Sequence, residues 1–558
     1  MMEQNPAGDT APIETGIHTL PDELLLLIFE MNADMFSDIN ALKDIHHIAL
    51  VSKRWRQILL DLPSIWGKLI DLNVLCKDTA VKEEWVNEIL RRSEGALLWI
   101  RGSVSEVHDQ LWAWRFFEPL IKNNWTRIQK LVVDLGPMYE PSPTWQTILQ
   151  PAPNLERFEV RFYHYNIAEG LSFHAPWTVT SEEWLLFSRF REDHLFANNA
   201  PSLREFAATQ IYFPLSAPWL SNLRSISFSF PVTLRRTFQA IEQMPLLESL
   251  DLERLQYRPD EPILPLLSFA RLTDIVLSDF LNVCARVLNR ITPAPGCSLS
   301  LTALDCDGTT LTTQILLDVG VALSKYLKIF NQSHPVTRIA LCCRSEAFSF
   351  TDTSPRSGDD PPFFTISFPF GPEMFSSTRF HNRELTALDT LISVFAIESA
   401  SFPFVRTLNL DLDVPTLYTS LLSASRFSDI EVLHTQESAL MTMLQLNNRE
   451  HDPPSEAFPF PALKTLRLTG IKGPSSVETA RISPLTLFLS ACRDHGCPIR
   501  VLEVYPTATA PRLGYLRPFG RILDQGMVGM MLKVLSHGEE GREVVCGGVN
   551  VYRLFLEY

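Results

Sequence analysis

The sequence predicts an α/β protein: a small three-helix unit at the N-terminus, followed by an irregular solenoid of strands and helices. Three observations predict it. Six consecutive apolar residues, Leu24 to Phe29, follow Pro21, Asp22 and Glu23 and open a helical pattern that ends near Trp66. A short motif, apolar-x-x-apolar-x-apolar, then recurs in twelve copies from Ile128 to Val504. Between copies, stretches such as Leu234 to Met244 and Leu281 to Ile291 carry apolar residues at helical spacing.

Size and composition set the frame. The 558 residues suffice for a large core or several domains, and 46% apolar with 20% charged residues is the balance of a globular chain. A net charge of −15 argues against general nucleic-acid or anionic-membrane binding, because both need basic surface to displace counterions. No apolar run reaches the ~18 residues needed to span a bilayer. Nine cysteines without regular spacing do not form a disulfide framework. Residues 1–16 are polar, mildly acidic and expected to be flexible, with neither a secretory nor a transit pattern. The expectation is an intracellular protein, cytoplasmic or nuclear, with no nucleic-acid or membrane partner.

The N-terminal helices follow from local chemistry. Pro21 suits a first helical position, and Asp22 and Glu23 meet the positive end of the helix dipole. Six apolar residues in a row cover every side of a helix, so one face alone cannot bury them. The run fits either a helix deep in a large core or a short helix shared between its own domain and a second protein. The first helix is expected from Pro21 to Met31, with Ser37 and Asp38 as caps for the next. From Ala41 onward, Leu42, Ile45, Ile48, Ala49, Trp55, Ile58 and Leu59 recur at helical spacing. Pro63 ends that pattern and Trp66 packs just beyond it.

These blocks resemble the F-box family. Leu20 to Phe29, LPDELLLLIF, matches the family's opening Leu-Pro-x-Glu-Leu-Leu-x-x-Ile-Phe. Val51-Ser52-Lys53-Arg54-Trp55-Arg56 matches its Val-Cys-Lys-x-Trp-Arg, and Leu62 to Trp66 fits the closing Leu-Trp. Two departures stand out. Ser52 takes the place of the usual Cys, and the gap between the first two blocks is several residues longer than in compact members, a length that resembles fungal relatives. The resemblance covers residues 17–66. It implies docking onto the Skp-type adaptor of a cullin-based ubiquitin ligase, with Leu20, Pro21, Leu24, Leu25, Ile28, Phe29, Val51 and Trp55 as adaptor-binding residues. Lys53, Arg54 and Arg56 read either as a solvated helix face or as a complement to an acidic adaptor surface.

Residues 67–125 hold Trp85, Trp99, Trp112, Trp114 and Trp125, and Val81 to Arg92 has helical spacing, so this stretch reads as a packed helical connector. Residues 126–512 carry the repeat. The run Leu203, Leu223, Leu247, Leu272, Leu301 steps by 20, 24, 25 and 29 residues, the spacing of leucine-rich repeats. The Asn or Cys usual after the third apolar position is missing from most copies. The interval from Val336 to Val405, with Ser354 to Pro362 inside it, reads as an inserted loop, and Asn447 to Pro459 as a second. A compact α/β domain fits the same motif, since any amphipathic strand supplies it. Residues 513–558 read as a C-terminal cap with a helix-like piece and a closing strand, VNVYRLFLEY.

In each copy the residue between the second and third apolar positions points outward. These residues are Val132, Glu159, Ala207, Ser227, Asp251, Val276, Asp305, Ala340, Asn409, His434, Arg467 and Glu503. Glu159, Asp251, Asp305, Asn409, Arg467 and Glu503 are the expected target-binding set, and the acidic excess favours a basic or polar protein partner. Catalytic motifs are absent from the sequence, and no cofactor or metal is expected. Cys492 to Cys497 lacks a second ligand pair, Cys342-Cys343 falls on a strand, and Asp305 to Gly308 lacks the closing Glu of a calcium loop. The expected function is a non-catalytic substrate receptor of the ligase; the alternative is an interaction scaffold that directs no ubiquitin transfer.

Overall fold

A computed structural model describes residues 20–75, 82–103, 110–135, 143–162, 194–209, 211, 213–229, 232–256, 263–304, 313–344, 347–356, 363–369, 404–412, 427, 429–447, 459–471, 480, 482–505, 517–535, 542–551 and 553. The chain divides into two compact units, Met1–Phe230 with Gln239–Met244, and Pro231–Phe238 with Pro245–Tyr558. Residues 1–16 and most of the 447–459 insertion lie outside the described residues.

The first unit opens with helices α1 (Asp22–Asn32), α2 (Ala41–Val51), α3 (Lys53–Leu60) and α4 (Pro63–Gly67). The connector that follows is more than helical. It alternates strand and helix: β1 (Ile70–Asp71), α5 (Leu72–Leu75), α6 (Lys82–Ser93), β2 (Leu98–Ser103) and α7 (Gln110–Asn124). Strands β3 (Ile128–Leu135), β4 (Arg157–Phe162), β5 (Glu205–Thr209) and β6 (Ser225–Ser229) complete the unit. All six pair in parallel and in chain order. Leu131 and Val133 lie opposite Phe158 and Val160, which lie opposite Phe206 and Ala208, then Ile226 and Phe228. These eight are buried, each larger one stabilising by ~1.5–3 kcal/mol relative to exposure. Gly102 in β2 has φ +127°, and a Cβ there would stand 2.8 Å from the Asn73 amide nitrogen.

A helix between every pair of copies is not what the first unit contains. From Leu203 to Leu223 the 20-residue step leaves room only for a 3-10 turn, Pro218–Asn222. An aromatic cluster fills the space instead. Phe158 and Phe196 stand 5.3 Å apart, Phe206 and Phe213 4.8 Å, and Phe196 and Trp219 5.6 Å, all between ring centres.

In several copies the first apolar position lies in a turn before the strand. The amides of Leu155, Leu203 and Leu223 donate to the carbonyls three residues back, Ala152, Ala200 and Leu220. Leu272, Ile430 and Leu463 in the second unit do the same to Phe269, Phe427 and Phe460. The Pro and Asn residues that precede several copies are thus turn residues. Consecutive copies are then joined by main chain. Arg204 and Glu205 both donate to Glu156 O, Arg224 and Ser225 to Arg204 O, and Lys464 and Thr465 to Glu431 O, at 2.7–3.1 Å. This double link makes a buried Asn ladder unnecessary.

In the second unit, helix α8 (Leu234–Ile241), inside which the division falls, leads to β7 (Ser249–Glu253), β8 (Leu267–Ser268), β9 (Asp274–Asp279), α9 (Leu281–Arg290) and β10 (Ile291–Thr292). Then come β11 (Ser298–Ala303), α10 (Thr313–Asn331), β12 (Arg338–Arg344), β13 (Ala347–Asp352), β14 (Phe364–Pro369) and β15 (Thr407–Leu412). The unit ends with β16 (Val432–Gln436), α11 (Glu437–Asn447), β17 (Thr465–Thr469), α12 (Pro484–Asp494), β18 (Val501–Tyr505), α13 (Arg517–Gly526), β19 (Met531–Val534) and β20 (Arg542–Val545). Parallel pairing runs β7–β9–β11–β14 and β12–β15–β16–β17–β18–β19, while β8 pairs with β10 separately.

Three expectations change here. The interval read as an inserted loop contains β13 and β14, which pair antiparallel and stand between β11 and β12. Their inward Phe348, Phe350, Phe364, Ile366 and Phe368 are buried, so this segment is core. The copy read as Leu301-Leu304-Cys306 is misplaced. Leu299 and Leu301 lie opposite Ile275 and Leu277, so the copy begins five residues earlier, Leu304 is exposed, and Asp305 lies outside the described residues. The C-terminal segment extends the strand series through β19 and the antiparallel β20. Within VNVYRLFLEY, Asn550 and Val551 are helical, held by the Asp524 carboxylate, which accepts from the amides of Gly547 at 2.9 Å and Val551 at 3.1 Å.

Candidate functional site

The apolar run of α1 divides between two environments. Leu25 and Phe29 are buried, and Phe29 meets the buried Trp55 of α3 edge-on with ring centres 5.4 Å apart. Leu24, Leu27 and Met31, at helical spacing on another side, are 48%, 57% and 71% exposed. Ile28 and Leu20 are intermediate and Pro21 is exposed. At the end of α2, Leu50 and Val51 are exposed, as is Ile39 before it. Of the eight residues matched to adaptor binding, Leu25, Phe29 and Trp55 therefore form the helices' own core. Leu20, Pro21, Leu24, Ile28 and Val51 are open to a partner to different degrees. Leu27 and Met31 of α1 are exposed as well. Their signal was the i, i+3, i+7 spacing from Leu24, once Leu25 and Phe29 mark the inner side.

Hydrogen bonds hold this arrangement. Ser52 caps α3, its hydroxyl accepting from the Trp55 amide at 3.1 Å, so the Cys-to-Ser departure supplies a cap. Arg54 donates through Nε to Asp22 Oδ1 at 2.9 Å and through Nη2 to Leu20 O at 2.7 Å, tying the start of α3 to the start of α1. Arg56 donates to Ala49 O at 3.0 Å. Two of the three basic residues in this block thus make bonds inside the helices, while Lys53 is exposed. Trp66 is buried, donates to Leu59 O at 2.8 Å, and lies under the Arg92 guanidinium at 4.3 Å.

The helix that follows α1 begins later than its expected caps. Its N-cap is Asn40, with no side-chain cap bond. The Asp34 carboxylate instead shapes a turn, accepting from the Phe36 amide at 2.9 Å, the Ser37 amide at 3.3 Å and the Ser37 hydroxyl at 3.0 Å. These bonds lower its pKa against the opposing effect of burial, and Lys130 adds to the lowering. Ala33 and Met35 are buried, so the long gap between the first two family blocks is packed structure.

The outward strand residues form rows. Val132, Glu159, Ala207 and Ser227 are neighbours in the first unit. In the second, Asp251 lies beside Val276, and Ala340, Asn409, His434, Arg467, Glu503 and Lys533 form one continuous row. Some of the charge on these outward residues is paired. Glu159 pairs with Arg157 at 2.8 Å and Arg161 at 2.5 Å, and Arg467 donates to Glu503 at 2.6 Å. Of the four acidic residues in the expected set, Glu159 and Glu503 thus have partners on the strands. Burial lowers the His434 pKa, with Arg467 adding to the shift, and its ring lies 5.7 Å from that of Tyr505.

Among the described residues, no three His, Cys, Asp or Glu side chains converge as metal ligands. Cys492 and Cys497 are buried, with Cys497 Sγ donating to Cys492 O at 3.2 Å, and burial pushes both thiol pKa values up. Cys343 is buried, and Asp305 to Gly308 lies outside the described residues. No described helix is long and apolar enough to cross a membrane.

No curated protein matches the chain. Residues 17–70, which include α1 to α4, match the F-box-like family model, so the helices with the divided apolar run form an F-box-like domain at the head of a largely parallel α/β region.

Proposed function

We propose that this chain is the substrate-recognition subunit of a Skp-cullin-F-box ubiquitin ligase. The F-box-like helices dock on the adaptor, and the strand region, a leucine-rich-repeat-like solenoid, holds a target protein through its outward rows. The observation that carries the reading is the exposed Leu24, Leu27 and Met31 stripe beside a completed core of Leu25, Phe29 and Trp55, within the segment that matches the family. A helix that leaves such a stripe in water gains by covering it with a partner. The chain itself needs no reactive group. Holding a target's lysines near a charged conjugating enzyme raises their effective concentration, and proximity supplies the rate. The site of action is the cytoplasm or nucleus.

The test is affinity purification of the full chain followed by mass spectrometry. The reading expects a Skp-type adaptor and a cullin in the recovered complex. It expects both to be lost on Leu24→Glu with Leu27→Glu, with the strand region still folded. Recovery of no adaptor by the wild-type chain overturns it. A partner whose half-life and ubiquitin load are unchanged when residues 17–66 are deleted would identify a scaffold instead.

A further inference from the structure

We propose that the loop between α1 and α2, residues 33–40, is a latch that fixes the adaptor-docking helices on the first strands. Phe36 carries the latch. Its ring stands 5.7 Å from Trp99 of β2, with the Lys130 ammonium of β3 at 5.3 Å and the Arg157 guanidinium of β4 at 5.5 Å. The same Lys130 lies 3.8 Å from the Trp99 ring, and Lys68, just after α4, approaches that ring at 5.2 Å. One phenylalanine thus meets residues from three neighbouring strands in a nest of alternating rings and cations. The loop is shaped beforehand for this. Asp34 organises the turn that presents Phe36, and its carboxylate also feels the Lys130 charge. Elsewhere on the helices, His46 of α2 meets Trp85 of α6 at 5.9 Å.

The lengthened loop therefore has a role beyond joining two helices. A compact connection would lack the Phe36 contacts with β2, β3 and β4. With Phe36 seated, the docking stripe of α1 holds a constant orientation to the outward rows of β2 to β4. The latch stands whether or not an adaptor binds. Its value for transfer rests on the proposed function, since a target held at constant distance keeps a constant effective concentration.

Hydrogen exchange of the full-length chain, followed by mass spectrometry, tests it. Phe36→Ala removes one aromatic pair and two cation–π contacts. Exchange across residues 33–45 is expected to rise about tenfold, with β5 and β6 unchanged. Phe36→Tyr, which keeps the ring, restores wild-type exchange. Lys130→Met keeps the aliphatic stem on a different element and is expected to speed exchange in the same loop severalfold. The latch is overturned if Phe36→Ala leaves the loop within twofold of wild type, or if Lys130→Met alters only β3. A uniform rise that includes β5 and β6 overturns it equally, because that reports general loss of folding.

Discussion

The divided helix α1 makes a quantitative prediction. Leu24, Leu27 and Met31 keep 48%, 57% and 71% of their surface in water, so each contributes only part of its burial energy to folding. Full burial of such a side chain is worth ~1.5–3 kcal/mol, which leaves about 1 kcal/mol per residue to be gained under a partner. Replacing all three by Ala is expected to weaken adaptor binding by roughly 3 kcal/mol, about a hundredfold in Kd. Because surface changes cost ~0.5 kcal/mol or less each, thermal unfolding of the free chain shifts little. Phe29→Ala supplies the contrast. Phe29 is buried against Trp55, and its loss costs ~3–5 kcal/mol, enough to unfold a small helical unit. Titration calorimetry with a purified Skp-type adaptor, alongside circular dichroism of each variant, measures both effects. A triple-Ala chain that binds within threefold of wild type would refute the assignment of this stripe.

Other outcomes follow from the same structure. Ser52→Ala removes the cap of α3 and is expected to destabilise the F-box-like helices by about 1 kcal/mol, read as a lower melting transition of that region. Burial raises the Asp274 carboxyl pKa against a bond from Ser249, so folding favours its protonated form. Its stabilising effect is present below the unfolded carboxylate pKa and is lost as pH rises through the folded one. Asp274→Asn should flatten that decline in melts from pH 3 to 7; an unchanged slope counts against it. Phe364 is fully buried and meets Phe350 edge-on at 6.0 Å, so Phe364→Ala should cost ~3–5 kcal/mol in denaturant unfolding, which an inserted surface loop would not. Asn409→Ala with Arg467→Ala, in the outward row, is expected to move stability by ~1 kcal/mol or less while reducing target recovery and sparing adaptor recovery.

The sequence made legible those features in which local pattern and final environment agree. The motif copies other than the one placed at Leu301 bury all three of their apolar positions, and the outward residues between them fall into rows as their spacing implies. The copy at Leu299 was misplaced because Leu301 and Leu304 imitate the motif, and only pairing with Ile275 and Leu277 fixes the register. Strands β13 and β14 were within reach. Phe348-x-Phe350 and Phe364-x-Ile366-x-Phe368 alternate at the strand period, but Pro and Gly between them suggested a loop. Phe36 was beyond reach. Nothing near it in sequence marks it as packed, since Trp99, Lys130 and Arg157 lie 63 or more residues away. Sorting the six apolar residues of α1 likewise needed the position of Trp55.

The paired main-chain bonds that join consecutive copies have an evolutionary consequence. Arg204 with Glu205, Arg224 with Ser225, and Lys464 with Thr465 are anchored through amides, whatever side chains they carry. The inward apolar rows set register, and the amides set spacing. An outward residue such as Asn409 or His434 contributes to neither. Mutation can therefore rewrite the outward rows one position at a time while the scaffold persists. A lineage built on this plan is free to diversify what it recognises at little cost in folding.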